Sequence, residues 1–399
     1  MKRLILVCAA VGSFITAKAA TDDSVFCRRI DAQVALTPGT PASYTVSGEL
    51  CATEDELSTG GTVQLLIHGA AYNHTYWDFG TVNGIQYSYA RDVAAHGFPT
   101  FALDLIGAGN SSHPPSNQVT NQVTAYVAHQ IVQGLRTGSV NGSPLGLRVP
   151  FSKVIIVGHS LGSVTVWQEA INYGDVDGVI ITGAAHAVTT QFLTAGALYP
   201  AVNDPKSVNS GLDKGYLTTM PGTRARLFLS SPDVDPAVIA ADESKKDVVP
   251  GPDLVSGLPV VTSNATLAIN VPVLDIVGSD DFTTCGLSSQ GVIFDCSSGT
   301  KVATQDAPYY SPAARFHACV IPGSGHSVNL AVNHRLEAAD AVAWSIAFVG
   351  QGSSKSFMPL PAPWFAPPED IQTFEGSERA LPWNDQLPWN CGAAAPTSN

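Results

Sequence analysis

From about Val63 onward, short apolar runs rich in β-branched residues alternate with longer stretches whose apolar positions recur every three or four residues. Short runs bounded by glycine or polar clusters read as buried strands, and the longer periodic stretches as amphipathic helices. The pattern predicts strands over Tyr44 to Leu50, Val63 to Ile67, Thr100 to Asp104, Val154 to Val157, Gly178 to Thr182, Val271 to Val277 and Arg315 to Ile321. It predicts helices over Tyr87 to His96, Gln118 to Leu135, Leu161 to Asn172 and Val328 to Phe348. Strands and helices in alternation are the signature of βαβ units, hence of an α/β chain with a mostly parallel central sheet flanked by helices.

Three segments depart from this rhythm. Residues 191 to 268 are rich in Pro, Asp and Ser and show no strong strand, which suggests an inserted helical lid. The stretch from 351 to 399 is rich in Pro and Trp and lacks periodicity; its aromatics and Cys391 suggest a tail pinned on the body. The start, Met1-Lys2-Arg3 followed by Leu4 to Val11 and ending in Ala17-Lys18-Ala19, has the basic, apolar and small-x-small parts of a secretory signal over residues 1 to 19. Its apolar core is too short to span a bilayer, so no stable membrane anchor is expected. Residues 20 to 350 then form one catalytic domain with the lid inserted.

Composition narrows the class. With 45% hydrophobic and 13% charged residues, the chain of 399 residues can build a large core. Its 33 acidic against 20 basic side chains give a net charge of −13, which argues against a nucleic-acid partner. Loss of the signal would carry away Lys2, Arg3 and Lys18 and leave about −16. Six cysteines follow the signal, an even number that suggests three disulfides in an oxidising compartment. Fifteen connectivities exist for six cysteines. Proximity favours Cys27 with Cys51 and Cys285 with Cys296, leaving Cys319 with Cys391. Sequons at Asn73, Asn110, Asn141 and Asn264 fit a secreted glycoprotein.

The chemistry centres on Val154 to Gly162, an apolar strand running into Gly158-His159-Ser160-Leu161-Gly162 and then a helix. The glycines permit a turn so tight that the serine takes strained dihedrals and projects its hydroxyl at the carboxyl end of the sheet. The motif alone is weak; the strand before it and the helix after it carry the weight. A serine needs a base, and the base an orienting acid, in the order Ser, Asp, His on this architecture. Val271 to Val277 ends in Gly278-Ser279-Asp280-Asp281, and the last strand ends in Gly323-Ser324-Gly325-His326. The expected triad is therefore Ser160, Asp281 and His326, with Asp280 a competitor and Asp104 a distant third for the acid. His68, His159 and His186 also follow strands and read as supporting or packed residues, whereas His96, His113, His129 and His334 read as exposed. Backbone amides of Ala70, in His68-Gly69-Ala70-Ala71-Tyr72, and of Leu161 are the expected oxyanion donors. The sequence has no His-Glu-x-x-His, no paired Cys-x-x-Cys, no dinucleotide fingerprint and no P-loop, so no metal and no cofactor are expected.

Taken together, Leu66-Ile67-His68-Gly69, Leu103 to Ser111, Gly158 to Gly162, Gly278 to Asp281 and Gly325-His326 resemble the α/β-hydrolase superfamily in content and order. The stretch His68 to Asp78 also resembles a subgroup of secreted fungal and bacterial hydrolases. The resemblance implies the α/β-hydrolase fold, a nucleophile at Ser160, acid at Asp281, base at His326 and oxyanion donors at Ala70 and Leu161. Two departures are an insertion carrying Cys285 and Cys296, suited to brace the Asp281 loop, and the Pro/Trp tail. The function to expect is a secreted serine hydrolase acting on a small, uncharged acyl substrate, an ester or lactone. Amide, thioester or carbon-carbon cleavage on the same fold stays open, as does a non-catalytic ligand-binding protein.

Overall fold

The computed structural model describes residues 25–229, 234–351 and 391–393. The signal assigned to residues 1 to 19 and most of the tail lie outside the described residues.

Nine strands form the central sheet: β1 (Phe26–Val34), β2 (Tyr44–Ala52), β3 (Thr62–Ile67), β4 (Thr100–Leu103), β5 (Lys153–His159), β6 (Gly178–Thr182), β7 (Val273–Gly278), β8 (His317–Ile321) and β9 (Cys391–Ala393). Their spatial order is 1-2-4-3-5-6-7-8-9. Strands β3 to β8 run parallel in the middle, while β1, β2 and β9 are antiparallel at the edges. The central strands are buried on both faces, which is why they read as unbroken apolar runs rather than alternating ones. Helices α1 (Tyr89–Ala95), α2 (Asn121–Thr137) and α3 (Leu161–Tyr173) follow strands β3 to β5, and α4 (Arg224–Phe228), α5 (Pro236–Lys245), α6 (Gly251–Val261) and α7 (Arg335–Phe348) follow β6 to β8. Two cores result, one centred on α2 and α3 around Trp167, the other on α1 and α7 around Trp77 and Trp344. No helix among the described residues is long and apolar enough to cross a membrane.

The sequence misses β1, whose residues Phe26-Cys27-Arg28-Arg29-Ile30-Asp31 mix charge and apolarity at a sheet edge. Three disulfides join Cys27 to Cys51, Cys285 to Cys296 and Cys319 to Cys391. The first and third link residues directly opposite one another on paired strands, and the third fixes β9 to β8. The span from residue 191 to 268 needs correction: besides α4, α5 and α6 it holds a three-stranded antiparallel sheet of Leu198–Pro200, Tyr216–Thr219 and Val249–Pro250. Strands of two to four residues are too short to show the alternation that reveals a strand in sequence.

Helix α7 carries Glu337 wholly buried, and neither of its carboxylate oxygens has a hydrogen-bond partner among the described residues. Burial, and secondarily the neighbouring Asp340, pushes this carboxyl up to about 8. An unfolded glutamate titrates at about 4.3, so the unfolded chain releases this proton first as pH rises, and stability drains away between about pH 4.3 and 8. Glu337→Gln is therefore expected to match the parent melting temperature at pH 4. By pH 8 it should exceed it by several degrees, on the order of a few kcal/mol. Calorimetry across that range checks it, and identical pH profiles for the two proteins would contradict it.

Candidate active site

Strand β5 and helix α3 meet at Ser160, whose φ of 55° and ψ of −120° lie where residues with a side chain are strained. The turn is held by the Ser160 amide donating to the Thr182 carbonyl (2.8 Å) and by the Ser163 hydroxyl donating to the same carbonyl (3.0 Å). The flanking glycines are there for contact. A Cβ on Gly162 would lie 2.3 Å from the Ile67 carbonyl oxygen, and one on Gly158 would lie 2.5 Å from that of Gly162. Backbone of β3 and α3 is thereby brought into direct contact, and the loop after β3 arrives beside the serine.

That loop is Gly69-Ala70-Ala71-Tyr72. It turns tightly, with the Tyr72 amide donating to the Gly69 carbonyl (3.3 Å) and Ala71 at a positive φ of 58°. Ala70 and Leu161 line one cavity together with Ser160 and His326. His68 holds the loop from beneath: its Nδ1 lies 2.8 Å from the Gly69 carbonyl oxygen and its Nε2 accepts from the Leu105 amide at 3.1 Å. Burial pulls the His68 ring below its usual range, keeping it neutral for those two bonds.

His326 is buried, with Nδ1 at 2.9 Å from Asp281 Oδ2. Asp281 is fully buried in a turn after β7, where the Cys285 amide donates to its carbonyl (2.7 Å) beside the Cys285–Cys296 bond. Asp280 is exposed, its carboxylate accepting from the Ser279 hydroxyl. Asp104 serves elsewhere, binding the His74 amide, the His74 ring and the Asn110 amide. Although burial pushes its carboxyl up, the His74 contacts outweigh this and hold it below the ordinary range.

The remaining histidines sort by their contacts. His159 is buried, stacked on Tyr76 at 4.3 Å, with its centroid 4.8 Å from that of His326. His186 is bound to Asp306 and Thr266 away from the site. His113 is exposed and His96 and His129 are half-buried. His334, expected at the surface, is buried instead, because its ring packs on Tyr87 and its two nitrogens each lie 3.0 Å from a carbonyl oxygen, of Ala331 and Gln86. Burial draws it down to about 4. Of the sequons, Asn110, Asn141 and Asn264 are exposed, whereas half-buried Asn73 donates to Asp247 at 2.7 Å.

A match to the model of the Alpha/beta hydrolase family extends over residues 64–343, most of the chain. The chain belongs to the α/β-hydrolase family. Among solved structures of this fold, a thermophilic esterase from Thermogutta terrifontis is 18% identical, with a TM-score of 0.50 over 78% of this chain and 96% of that one. An alpha/beta hydrolase fold protein from Chitinophaga pinensis is 11% identical, with a TM-score of 0.50 over 80% and 98%. A monoacylglycerol lipase from Paleococcus ferrophilus is 16% identical, with a TM-score of 0.46 over 81% and 99%. No curated protein matches the sequence. At these identities the likeness to other hydrolases is one of fold.

Two features of this hydrolase escape sequence reading. Thr283 donates through amide (2.9 Å) and hydroxyl (2.6 Å) to Asp281 Oδ1, and its hydroxyl lies 2.8 Å from His326 Nδ1. Its local signal is the Asp-x-Thr turn. Arg224 of α4 is buried and forked onto Asp242 of α5 (2.6 and 2.9 Å), donates to the Ala71 carbonyl (3.0 Å), and sits 4.2 Å over the Tyr72 ring. Helix α4 also offers its Phe228 carbonyl to the Ser327 amide at 2.8 Å. One short helix thus grips both the loop after β3 and the loop of His326.

Arg224→Lys keeps the charge but cannot reproduce the fork or the Ala71 bond. It should slow phosphonylation of Ser160 by a fluorophosphonate by at least about tenfold, equivalent to about 1.4 kcal/mol of lost transition-state stabilisation. Stopped-flow labelling measures this, and an unchanged rate would show that the loop keeps its geometry without α4. Thr283→Val, which removes one hydroxyl from the Asp281–His326 pair, should lower the same rate about tenfold while leaving the fold intact by circular dichroism.

Proposed function

We propose that this chain is a secreted serine hydrolase that cleaves a carboxylic ester or lactone through an acyl-enzyme on Ser160. The observation that carries the reading is the grouping of Ser160, His326, Ala70 and Leu161 around one cavity, with Asp281 bound behind His326. In this reading His326 takes the Ser160 proton as the hydroxyl attacks the acyl carbon, and Asp281 orients the ring and stabilises its positive form. Amides of Ala70 and Leu161 receive the oxyanion; Leu161 opens α3, where first-turn amides lack intrahelical acceptors. His326 then protonates the leaving oxygen, and a water activated by the same ring releases the acid.

The cavity, about 370 Å³, supports an uncharged acyl group of modest size. Its walls include Val164, Val188, Phe192, Phe228 and Leu254, and no Lys or Arg is among the described lining residues. Much of this wall comes from residues 191 to 268, which we assign as a lid that sets specificity. Three disulfides support an oxidising compartment, and with it removal of residues 1 to 19 as a signal.

The test begins with a fluorophosphonate and mass spectrometry of the secreted protein. We expect one adduct, on Ser160, and an amino terminus after Ala19. Nitrophenyl esters of short and medium acyl chains should be cleaved faster than long-chain ones, with the rate falling about a thousandfold in Ser160→Ala. Absence of an adduct, or full activity in that variant, defeats the proposal; faster turnover of amides, thioesters or carbon-carbon substrates would move it to another reaction on the same residues.

A further inference from the structure

Far from Ser160, the end of α3 carries a cluster that the proposed chemistry does not use. Glu169 is fully buried, and neither of its oxygens has a hydrogen-bond partner among the described residues. Nδ1 of His129, on α2, lies 3.9 Å from Glu169 Oε1 and 2.9 Å from Asp175 Oδ2, yet it too is without an aligned hydrogen bond, as is Asp175 Oδ1. Four polar atoms are thus left unsatisfied in one place, where each such buried group costs about 1–3 kcal/mol.

We propose that His129, Glu169 and Asp175 form a binding site for one divalent transition-metal ion of the zinc class. One ligand atom from each residue fits within a common 4.8 Å. Metal–ligand bonds of 2.0–2.2 Å in a tetrahedral site place neighbouring ligand atoms about 3.3 Å apart, and the separations of 2.9 and 3.9 Å bracket this. Two groups that approach closely without hydrogen-bond alignment are what two ligands directed at a shared centre look like. Imidazole with carboxylates suits zinc and its neighbours, whereas calcium and magnesium take oxygen ligands. Other groups pack around the cluster. Tyr173 stacks on the His129 ring at 3.9 Å, Gln133 donates to Asp175 Oδ2, and Arg136 is turned to the Asp175 carbonyl and the Asp177 carboxylate.

The position is also electrostatically suited. Glu169 lies in the second half of α3 and Asp175 just past its end, where the helix dipole presents its negative pole to a cation. His129 and Asp175 keep 23% and 18% of their side chains exposed, so the ion has an entry path and a place for water as fourth ligand. Nine residues of helix, about 14 Å, separate Glu169 from Ser160, so the ion would brace α2 against the far end of the elbow helix rather than meet substrate.

Isothermal titration of the full chain, freed of metal by dialysis against a chelator and free of affinity tags, tests this with zinc chloride alone. We expect one site per chain and a melting temperature that rises by several degrees and saturates at one equivalent. Glu169→Gln keeps the buried shape and His129→Phe keeps the stacking on Tyr173. Each should weaken binding by at least tenfold and abolish the thermal response. Either variant suffices if the other does not fold. No zinc uptake by the parent protein, or uptake and thermal response unchanged in both variants, overturns the proposal and leaves Glu169 and Asp175 sharing a proton instead.

Discussion

Everything around Ser160 depends on how closely β5, α3 and β3 approach at Gly158, Gly162 and Gly69. A methyl at Gly162 would meet the Ile67 and His68 carbonyl oxygens at 2.3 and 2.6 Å, and one at Gly69 would reach the Ser160 Cβ at 3.0 Å. The contact is backbone on backbone, so no rotamer change can relieve it. It forces Ser160 into its positive φ, at a strain on the order of 1–3 kcal/mol, and it places the Ala70 loop and the Leu161 amide against the same side of the serine. The Ser160 hydroxyl and the amides of Ala70 and Leu161, which we propose as nucleophile and oxyanion donors, are thus positioned by one packing constraint rather than by separate ones.

The inserted segment supplies the second constraint. A buried ion pair is weak evidence of net stability, since desolvation offsets much of the attraction, but it specifies geometry because a stranded partner is costly. Arg224 and Asp242 use that property: the guanidinium, fixed by its fork, has one remaining direction in which to bond the Ala71 carbonyl. The Asp247 amide donates to the same oxygen at 3.0 Å. The positive φ at Ala71 is held from the segment's side, just as the turn at Ser160 is held from the sheet's side.

What the sequence reveals follows from where the determining contacts lie. Central strands advertise themselves because burial on both faces demands apolar runs, and the elbow because its glycines are required locally. Edge strand β1 carries the charged pair Arg28-Arg29 and alternates only from Ile30 to Val34, so it lacks the unbroken apolar run that marks the central strands; β9, three residues long, is held by Cys391 opposite Cys319, which no local pattern encodes. His334 looked like a surface residue because nothing nearby in sequence hints at Tyr87 or the Gln86 carbonyl, some 250 positions away. Arg224 shows the same limit most plainly. An arginine in a Pro- and Ser-rich span carries no local sign of burial, and only the fold reveals that it meets Ala71, 153 positions earlier.

His159, the variable position of the elbow motif, closes the electrostatic account of the site. Its ring centroid lies 4.8 Å from that of His326, where a second positive charge would oppose the imidazolium formed in the proposed proton transfer. Burial, followed by the nearness of His326, draws His159 well below its ordinary range and keeps it neutral. Stacking on Tyr76 and contact with the Thr182 hydroxyl at 3.1 Å fix the ring without requiring charge. Thr283 and Asp281 on one side of His326 stabilise a positive ring, and a neutral His159 on the other does not oppose it. The same burial that makes a histidine at this position look like mere packing therefore suits the proposed chemistry, because a desolvated imidazole can be both close to His326 and uncharged.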